Sequence, residues 1–281
     1  MNTDPDNAAL EQAILRAAEL IRSADAILIG AGAGMGVDSG LPDFRGPEGF
    51  WKAYPAFQGR RFAEVSNPRW FAADPEMAWG FFGHRLGLYR SALPHAGFEI
   101  LRRWSERALL GAFVFTSNVD GQFAKAGFSP ERIVEIHGSI HYLQCTRPCR
   151  ESGIWPTPDL EFEVDPATVR TRSPLPRCPR CEALARPNIL MFGDGSWLDH
   201  RSGSQFDRFE AWLRGVGRSR LAVVELGAGN AVPTVRMTCE GYSSEVIRIN
   251  PRDSDGPPGT VSIPLGAREG LERINRQLER G

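Results

Sequence analysis

Between residues 8 and 22, apolar side chains recur at Leu10, Ile14, Leu15, Ala18 and Ile21 with charged residues between them. Steps of three and four residues put these side chains on one stripe, which predicts an amphipathic first helix. The pattern then changes. Ala26-Ile27-Leu28-Ile29 is an unbroken apolar run leading into a glycine-rich turn, the pattern of a strand buried on both faces that feeds a phosphate-binding loop. Short apolar runs at 112–115, 133–136, 189–192, 221–226 and 246–249, each bounded by turn residues or a helical pattern, predict further strands. Buried strands interleaved with helices predict an α/β fold with a doubly wound, parallel, Rossmann-like sheet.

Residues 141–186 break this rhythm. They hold four cysteines and many prolines and show no long helical period. This stretch is expected to be a small inserted domain, dividing the chain into a dinucleotide-binding domain of residues 1–140 and 187–281 and an insert of residues 141–186. Residues 46–71, with glycines, prolines, four cationic residues and scattered aromatics, are expected to form a mobile loop over the site.

Composition narrows the class without naming a chemistry. A length of 281 residues has room for one large unit and a smaller one. Hydrophobic content of 42% with 24% charged residues is that of a soluble globular protein, and no segment approaches the ~18 apolar residues of a membrane span. The first residues lack the basic start and apolar run of a secretory signal, so the expected location is the cytoplasm. A net charge of −1 gives no reason to expect nucleic acid or a membrane surface as partner. In such a compartment, close cysteine pairs point to metal before disulfide. Cys145-x3-Cys149 and Cys178-x2-Cys181 fit a closed four-thiolate Zn²⁺ site whose role is structural. The fifth, Cys239, is expected to be a small buried hydrophobe.

The sharpest motif follows the first strand: Gly30-Ala-Gly-Ala-Gly-Met-Gly-Val-Asp-Ser-Gly-Leu-Pro-Asp-Phe-Arg-Gly46. Its glycines let backbone N–H groups approach a pyrophosphate, and a helix N-terminus behind them would favour the anion. From Gly32 to Gly46 the segment resembles the sirtuin signature, with Gly36 where that family usually has serine. Other marks come in the family's order. Thr116-Ser-Asn-Val-Asp120 resembles its TQN[IV]D segment, with Ser117 in place of glutamine. Val134-Glu-Ile-His-Gly-Ser139 ends an apolar run in His-Gly, and Arg186-Pro-Asn-Ile-Leu-Met-Phe-Gly-Asp194 resembles the segment that pairs with an acyl-lysine peptide. Glu225-Leu-Gly-Ala-Gly-Asn-Ala-Val-Pro233 resembles a one-residue-shorter form of the adenosine-side loop, and Ile249-Asn250 matches a later strand end. The resemblance runs from about residue 27 to 250.

It implies NAD-dependent removal of acyl groups from protein lysines, giving nicotinamide and O-acyl-ADP-ribose. It makes His137 the general base, suited by an imidazole pKa of ~6.5, and sets Asn118 and Asp120 beside the nicotinamide and its ribose. NAD contacts are implied for Gly32, Ala33, Gly34, Asp43, Phe44, Arg45, Ser117, Gly227, Gly229 and Asn250, and peptide contacts for Phe192 and Gly193. Trp79-Gly-Phe-Phe-Gly-His-Arg85 resembles the helix on which desuccinylating sirtuins hold an acidic acyl group with a Tyr-x-x-Arg pair. Here the pair is Phe82 and Arg85; the plain alternative is a core Phe82 and a solvent-facing Arg85. The other histidines are expected to cap, pack or face solvent. ADP-ribosyl transfer to protein or water, and NAD sensing without catalysis, stay open as alternative functions.

Overall fold

A computed structural model describes residues 5–43, 50, 52–147, 149 and 153–280 of the chain. The first helix, α1 (Pro5–Ser23), leads into β1 (Ala26–Ala31). β1 lies inside a six-stranded sheet with β2 (Ala112–Thr116), β3 (Ile133–Glu135), β9 (Leu221–Leu226), β10 (Val246–Ile249) and β11 (Val261–Ile263). The order is β11-β10-β9-β1-β2-β3 and every pairing is parallel. The strand period of two sorts the apolar side chains between two layers. Ile27 and Ile29 point to α1, α3 (Ala96–Arg107) and α6 (Ala267–Arg280), among Ile14, Leu101, Trp104 and Leu271. Leu28 points the other way with Phe113, Phe115 and Val223, against α4 (His200–Val216) and α5 (Thr234–Tyr242). Both faces are covered, as the unbroken apolar runs require. Cys239 of α5 is wholly buried in the second layer, as expected of it. Its sulfur lies where a Cβ on Gly30 would sit, at 2.3 Å, so only glycine lets α5 approach β1 this closely.

A second, antiparallel sheet of β4 (Gly138–Cys145), β5 (Ile154–Pro156) and β8 (Ala185–Ile189) runs in the order β5-β4-β8, with a small ladder of β6 (Val164–Asp165) and β7 (Arg170–Thr171) beside it. Its core is shared with residues that precede it by many tens of positions: Leu143, Val169 and Ala185 pack with Phe50, Phe57, Phe71, Trp79 and Phe81. Helix α2 (Pro75–Ser91) supplies much of this surface. Trp79 stacks on Phe162 at 5.1 Å and donates its indole N–H to the Ala185 carbonyl at 2.9 Å. Gly80 and Gly83 leave room for Val169 and Phe162. A short insert buries too little apolar area to stabilise itself, so it shares a core with α2 and the segment before it.

Two expectations differ from what is found. The run at 189–192 is not a strand: β8 ends at Ile189, and Leu190–Phe192 leaves the sheet as an edge segment held by Ser66 and Asp194. Apolarity alone does not locate a strand end. The described part of 46–71 is packed, with Phe50, Tyr54, Phe57, Val65 and Phe71 buried and short helical turns at Pro55–Phe57, Phe62–Val65 and Trp70–Ala73. Its aromatics form core. Among the described residues no helix is long and apolar enough to cross a membrane.

Candidate active site

A cavity of about 600 Å³ opens between the C-terminal ends of β1, β2 and β9 and the second core, where open parallel sheets present their ligand sites. Backbone bonds draw three loops together there. Gly32 N–H donates to Leu226 O at 2.9 Å, Gly34 N–H to Gly227 O at 3.0 Å, and Gly227 N–H to Ile249 O at 3.0 Å. A Cβ on Gly34 would lie 2.7 Å from the Gly227 Cα, and Gly227 itself has φ +58. These two glycines are required by close backbone contact and stand behind the cavity wall. The turn continues as a short 3-10 helix, Ala33–Ser39, closed by Gly40 at φ +81; the expected helix behind the glycines is therefore short.

The TSNVD segment is fixed by its own backbone. Thr116 Oγ1 donates to Ala31 O at 2.9 Å and accepts from Asn118 N–H at 3.0 Å, while Asn118 Nδ2 donates to Gly32 O at 2.9 Å. The amide of Asn118 thus joins β2 to the glycine turn. Asp120 Oδ1 accepts from Gln122 N–H at 2.9 Å, and His141 Nε2 lies 2.9 Å from the Asp120 carbonyl. Burial pushes the Asp120 carboxyl up to about 6; Glu135 adds to the rise, and the Gln122 N–H and Arg85 oppose it. His137 sits opposite, its backbone carbonyl accepting from Leu190 N–H at 2.9 Å. Burial holds its imidazole below the ordinary value, partly offset by a hydrogen bond to the Ser117 backbone, so His137 is neutral at pH 7 and able to take a proton. Gly138, at φ +74, has Asn188 O where a Cβ would be, 2.0 Å away. The glycine after His137 is a steric requirement.

Of the residues singled out in the sequence, the cavity is lined by Gly32, Ala33, Asp43, Ser117, Asn118, Asp120, His137, Arg85, Phe192 and Gly229. Asn250 stands behind it, fully buried. Its Nδ2 donates to Ala228 O at 2.8 Å and its Oδ1 accepts from Arg252 and Asp253 N–H at 3.1 Å. Gly193, at φ +69, lies exposed beyond Phe192. Phe82 is in the second core, stacked on Phe71 at 5.7 Å and 1% exposed. Phe44 and Arg45 lie outside the described residues.

Arg85 does not face solvent. It is 5% exposed and lines the cavity, its guanidinium within 6 Å of the Phe62, Phe81, Phe82 and Tyr89 rings. Its Nε and Nη2 donate to the Tyr89 hydroxyl at 3.1 and 2.8 Å. Tyr89 was missed in the sequence, although a position four residues after Arg85 on a helix shares its face. Ser66, Asn230, Val232 and Asp253 also line the cavity; as isolated loop positions they carry no periodic signal. Of the remaining histidines, His95 caps α3 by accepting Gly97 N–H at 3.0 Å, and His84 lies 2.8 Å from the Tyr54 hydroxyl.

At the end of β4, the sulfurs of Cys145, Cys149, Cys178 and Cys181 lie within 4.8 Å of one another, with Cys145–Cys181 at 3.6 Å and Cys149–Cys178 at 3.5 Å. A tetrahedral Zn²⁺ with Zn–S of ~2.3 Å requires S–S edges of roughly 3.8 Å. The four thiolates fit one zinc, and the three-residue gap of the first pair is no obstacle.

The Sir2 family model matches residues 32–208. An NAD-dependent protein deacylase of Aeropyrum pernix is 27% identical over 275 residues, covering 95% of this chain and 98% of that one. NAD-dependent protein deacylase sirtuin-5, mitochondrial, of Danio rerio is 33% identical over 183 residues, 60% of this chain and 57% of that protein. Among solved structures, a Sir2 homologue–NAD complex superposes with a TM-score of 0.68 at 23% identity, covering 94% of this chain and 93% of that one. With its family model matched across more than half its length, this chain belongs to the Sir2 family.

Proposed function

We propose that this chain removes acyl groups from lysine side chains of proteins in a reaction that consumes NAD. One observation carries the reading: a neutral His137, the Asn118 amide, the Asp120 carboxyl and the glycine turn at Gly32 share one cavity that opens on the exposed edge of Leu190 and Phe192. NAD supplies an electrophilic ribose carbon once its nicotinamide is made to leave. The chain's own residues bind, orient and move a proton. The backbone at Gly32 and Ala33 receives the pyrophosphate. Asn118 and Asp120 hold the nicotinamide side, and His137 takes a proton from a ribose hydroxyl so that the acyl group can transfer. Val119 and Ile189, both buried, keep water from the reacting end. The acylated peptide lies along Leu190–Phe192, facing the loop of Asn230 to Val232. The four cysteines hold zinc as a structural brace away from this chemistry.

Arg85 favours an acidic acyl group. A guanidinium this enclosed attracts a carboxylate strongly, because little water screens it. In place of the phenol missing at Phe82, the Tyr89 hydroxyl meets the guanidinium from one helical turn beyond Arg85. Succinyl-lysine peptides are expected to be consumed faster than acetyl-lysine peptides, and Arg85→Met to lower the succinyl kcat/KM by tenfold or more, about the ~1.5–3 kcal/mol of a charge-assisted hydrogen bond. Equal rates on both peptides, unchanged by the substitution, would remove the acidic-acyl assignment.

A further inference from the structure

The strand end that carries His137 into the cavity is gripped from behind by a helix. Glu135, the last residue of β3, is 7% exposed and is bound three times by the first two turns of α4. Its N–H donates to Gln205 Oε1 at 3.1 Å, its carbonyl accepts from Ser202 Oγ at 2.8 Å, and its carboxylate accepts from Arg201 Nη2 at 2.5 Å. Arg201, Ser202 and Gln205 share one face of α4 because Gln205 stands four and three residues after the other two. The Arg201 guanidinium also lies 3.9 Å from the centre of the Tyr142 ring on β4, a contact that fixes its plane. The residues that follow are held by other elements. Ile136 N–H donates to Thr116 O at 3.0 Å, and His137 O accepts from Leu190 N–H at 2.9 Å. Three consecutive residues are thus tied to α4, to β2 and to the substrate edge, and the place of His137 depends on all three.

Helix packing alone would be met by an apolar side chain at position 135, yet the strand end carries a buried charge. That charge acts on the cavity. Asp120 faces Arg85 and Tyr89 from α2, Glu135 from β3 and His141 from β4, with His137 lining the same space. Glu135 acts on Asp120 as a like charge and favours the protonated carboxyl, while Arg85 acts in the opposite sense. We infer that Glu135 is a positioning residue for the proposed chemistry: its backbone fixes where His137 stands, and its carboxylate, held by Arg201, sets the field at Asp120. This rests on the deacylase reading and adds to it the residue through which α4 governs the base and the carboxyl together.

The backbone grip and the charge are separable by substitution. Glu135→Gln keeps the shape and a hydrogen bond to Arg201 and removes only the charge. With the like charge gone Asp120 ionises at lower pH, so the acid side of the kcat/KM profile moves down in pH. Ser202→Ala and Gln205→Leu loosen the backbone and keep the charge. They lower kcat by roughly tenfold with KM nearly unchanged, because His137 acts in the chemical step, and they leave the acid side where it was. Arg201→Lys, which keeps the countercharge, also leaves it in place. The Asp120 carboxyl is titrated in parallel by ¹³C NMR of the whole protein, its signal identified by its loss in Asp120→Asn. An acid side and an Asp120 titration that Glu135→Gln does not move overturn the field at Asp120. Melting temperatures that fall in Ser202→Ala and Gln205→Leu while kcat keeps its value overturn the placement of His137. If no peptide is turned over, the deacylase reading fails separately, and the NMR titration alone decides whether Glu135 acts on Asp120.

Discussion

Replacing Asp120 by asparagine should make the protein more stable and less active, and the gain in stability should depend on pH in a defined way. The carboxyl has its ordinary value of 3.8 in the unfolded chain and about 6 in the folded one, chiefly because the cavity wall desolvates it. A folded value above the unfolded one means that the ionised form is penalised by folding. The penalty is absent below pH ~4, grows between about 4 and 6, and is fully present above 6. At ~1.4 kcal/mol per pH unit it reaches at most about 3 kcal/mol. Asp120 is half-buried rather than sealed, so a gain of about 1–3 kcal/mol is the working figure. Asparagine keeps the oxygen that accepts Gln122 N–H at 2.9 Å and removes only the charge. For a chain of this length the gain corresponds to a melting temperature higher by roughly 2–8 °C at pH 7.5, falling toward zero near pH 4. Thermal melts of both proteins across this range provide the assay. A variant less stable at pH 7.5, or one whose advantage does not change with pH, would refute the idea that the site stores unfavourable charge. The same carboxyl sets the acid side of the rate profile. If ionised Asp120 and neutral His137 are both required, kcat/KM falls as pH drops through about 6, and the Asp120→Asn variant loses activity at every pH.

Two further outcomes follow from buried charge and from metal. Arg186 and Asp194 form a bidentate pair at 2.7 and 2.9 Å with side chains 2% and 0% exposed. Asp194→Ala therefore leaves a buried cation alone, and should cost about 3–5 kcal/mol in urea unfolding. It also releases Met191 N–H, raising the peptide KM. Metal analysis of the purified protein should find about one zinc per chain, and chelation should lower the melting temperature and abolish peptide turnover. Full activity and unchanged melting in zinc-free protein would contradict a structural role.

The parallel sheet was legible because its strands are buried on both faces. The runs at 26–29 and 112–115 have no polar interruption, and the single charged residues in 221–226 and 246–249, Glu225 and Arg248, pair with each other inside the sheet. β11, three residues long, was too short to carry a pattern, and β4 alternates too weakly to reveal its antiparallel pairing with β8. The cysteine cluster was legible from spacing alone, since ligands of a closed zinc site must come in close pairs. At the candidate site, Asn118, Asp120 and His137 were legible only through the resemblance to the sirtuin family; each follows a strand end, and all three line one cavity. What tertiary packing decides was left open or missed in the sequence. Asn250 and Gly227 shape the cavity from behind it, Phe82 turned inward, and Tyr89 took the place beside Arg85. The partnership of residues 50–92 with the insert was hidden because both lack a complete core and supply each other's.

The most direct test of the account is nicotinamide release from NAD by the purified protein, with and without acetyl- and succinyl-lysine peptides, beside a His137→Ala control. The account predicts release that requires an acyl-lysine peptide, is matched by deacylated peptide and is lost in the control. Release without peptide, or accumulation of ADP-ribosylated protein with the acyl peptide intact, would contradict it, as would NAD binding with no release at all.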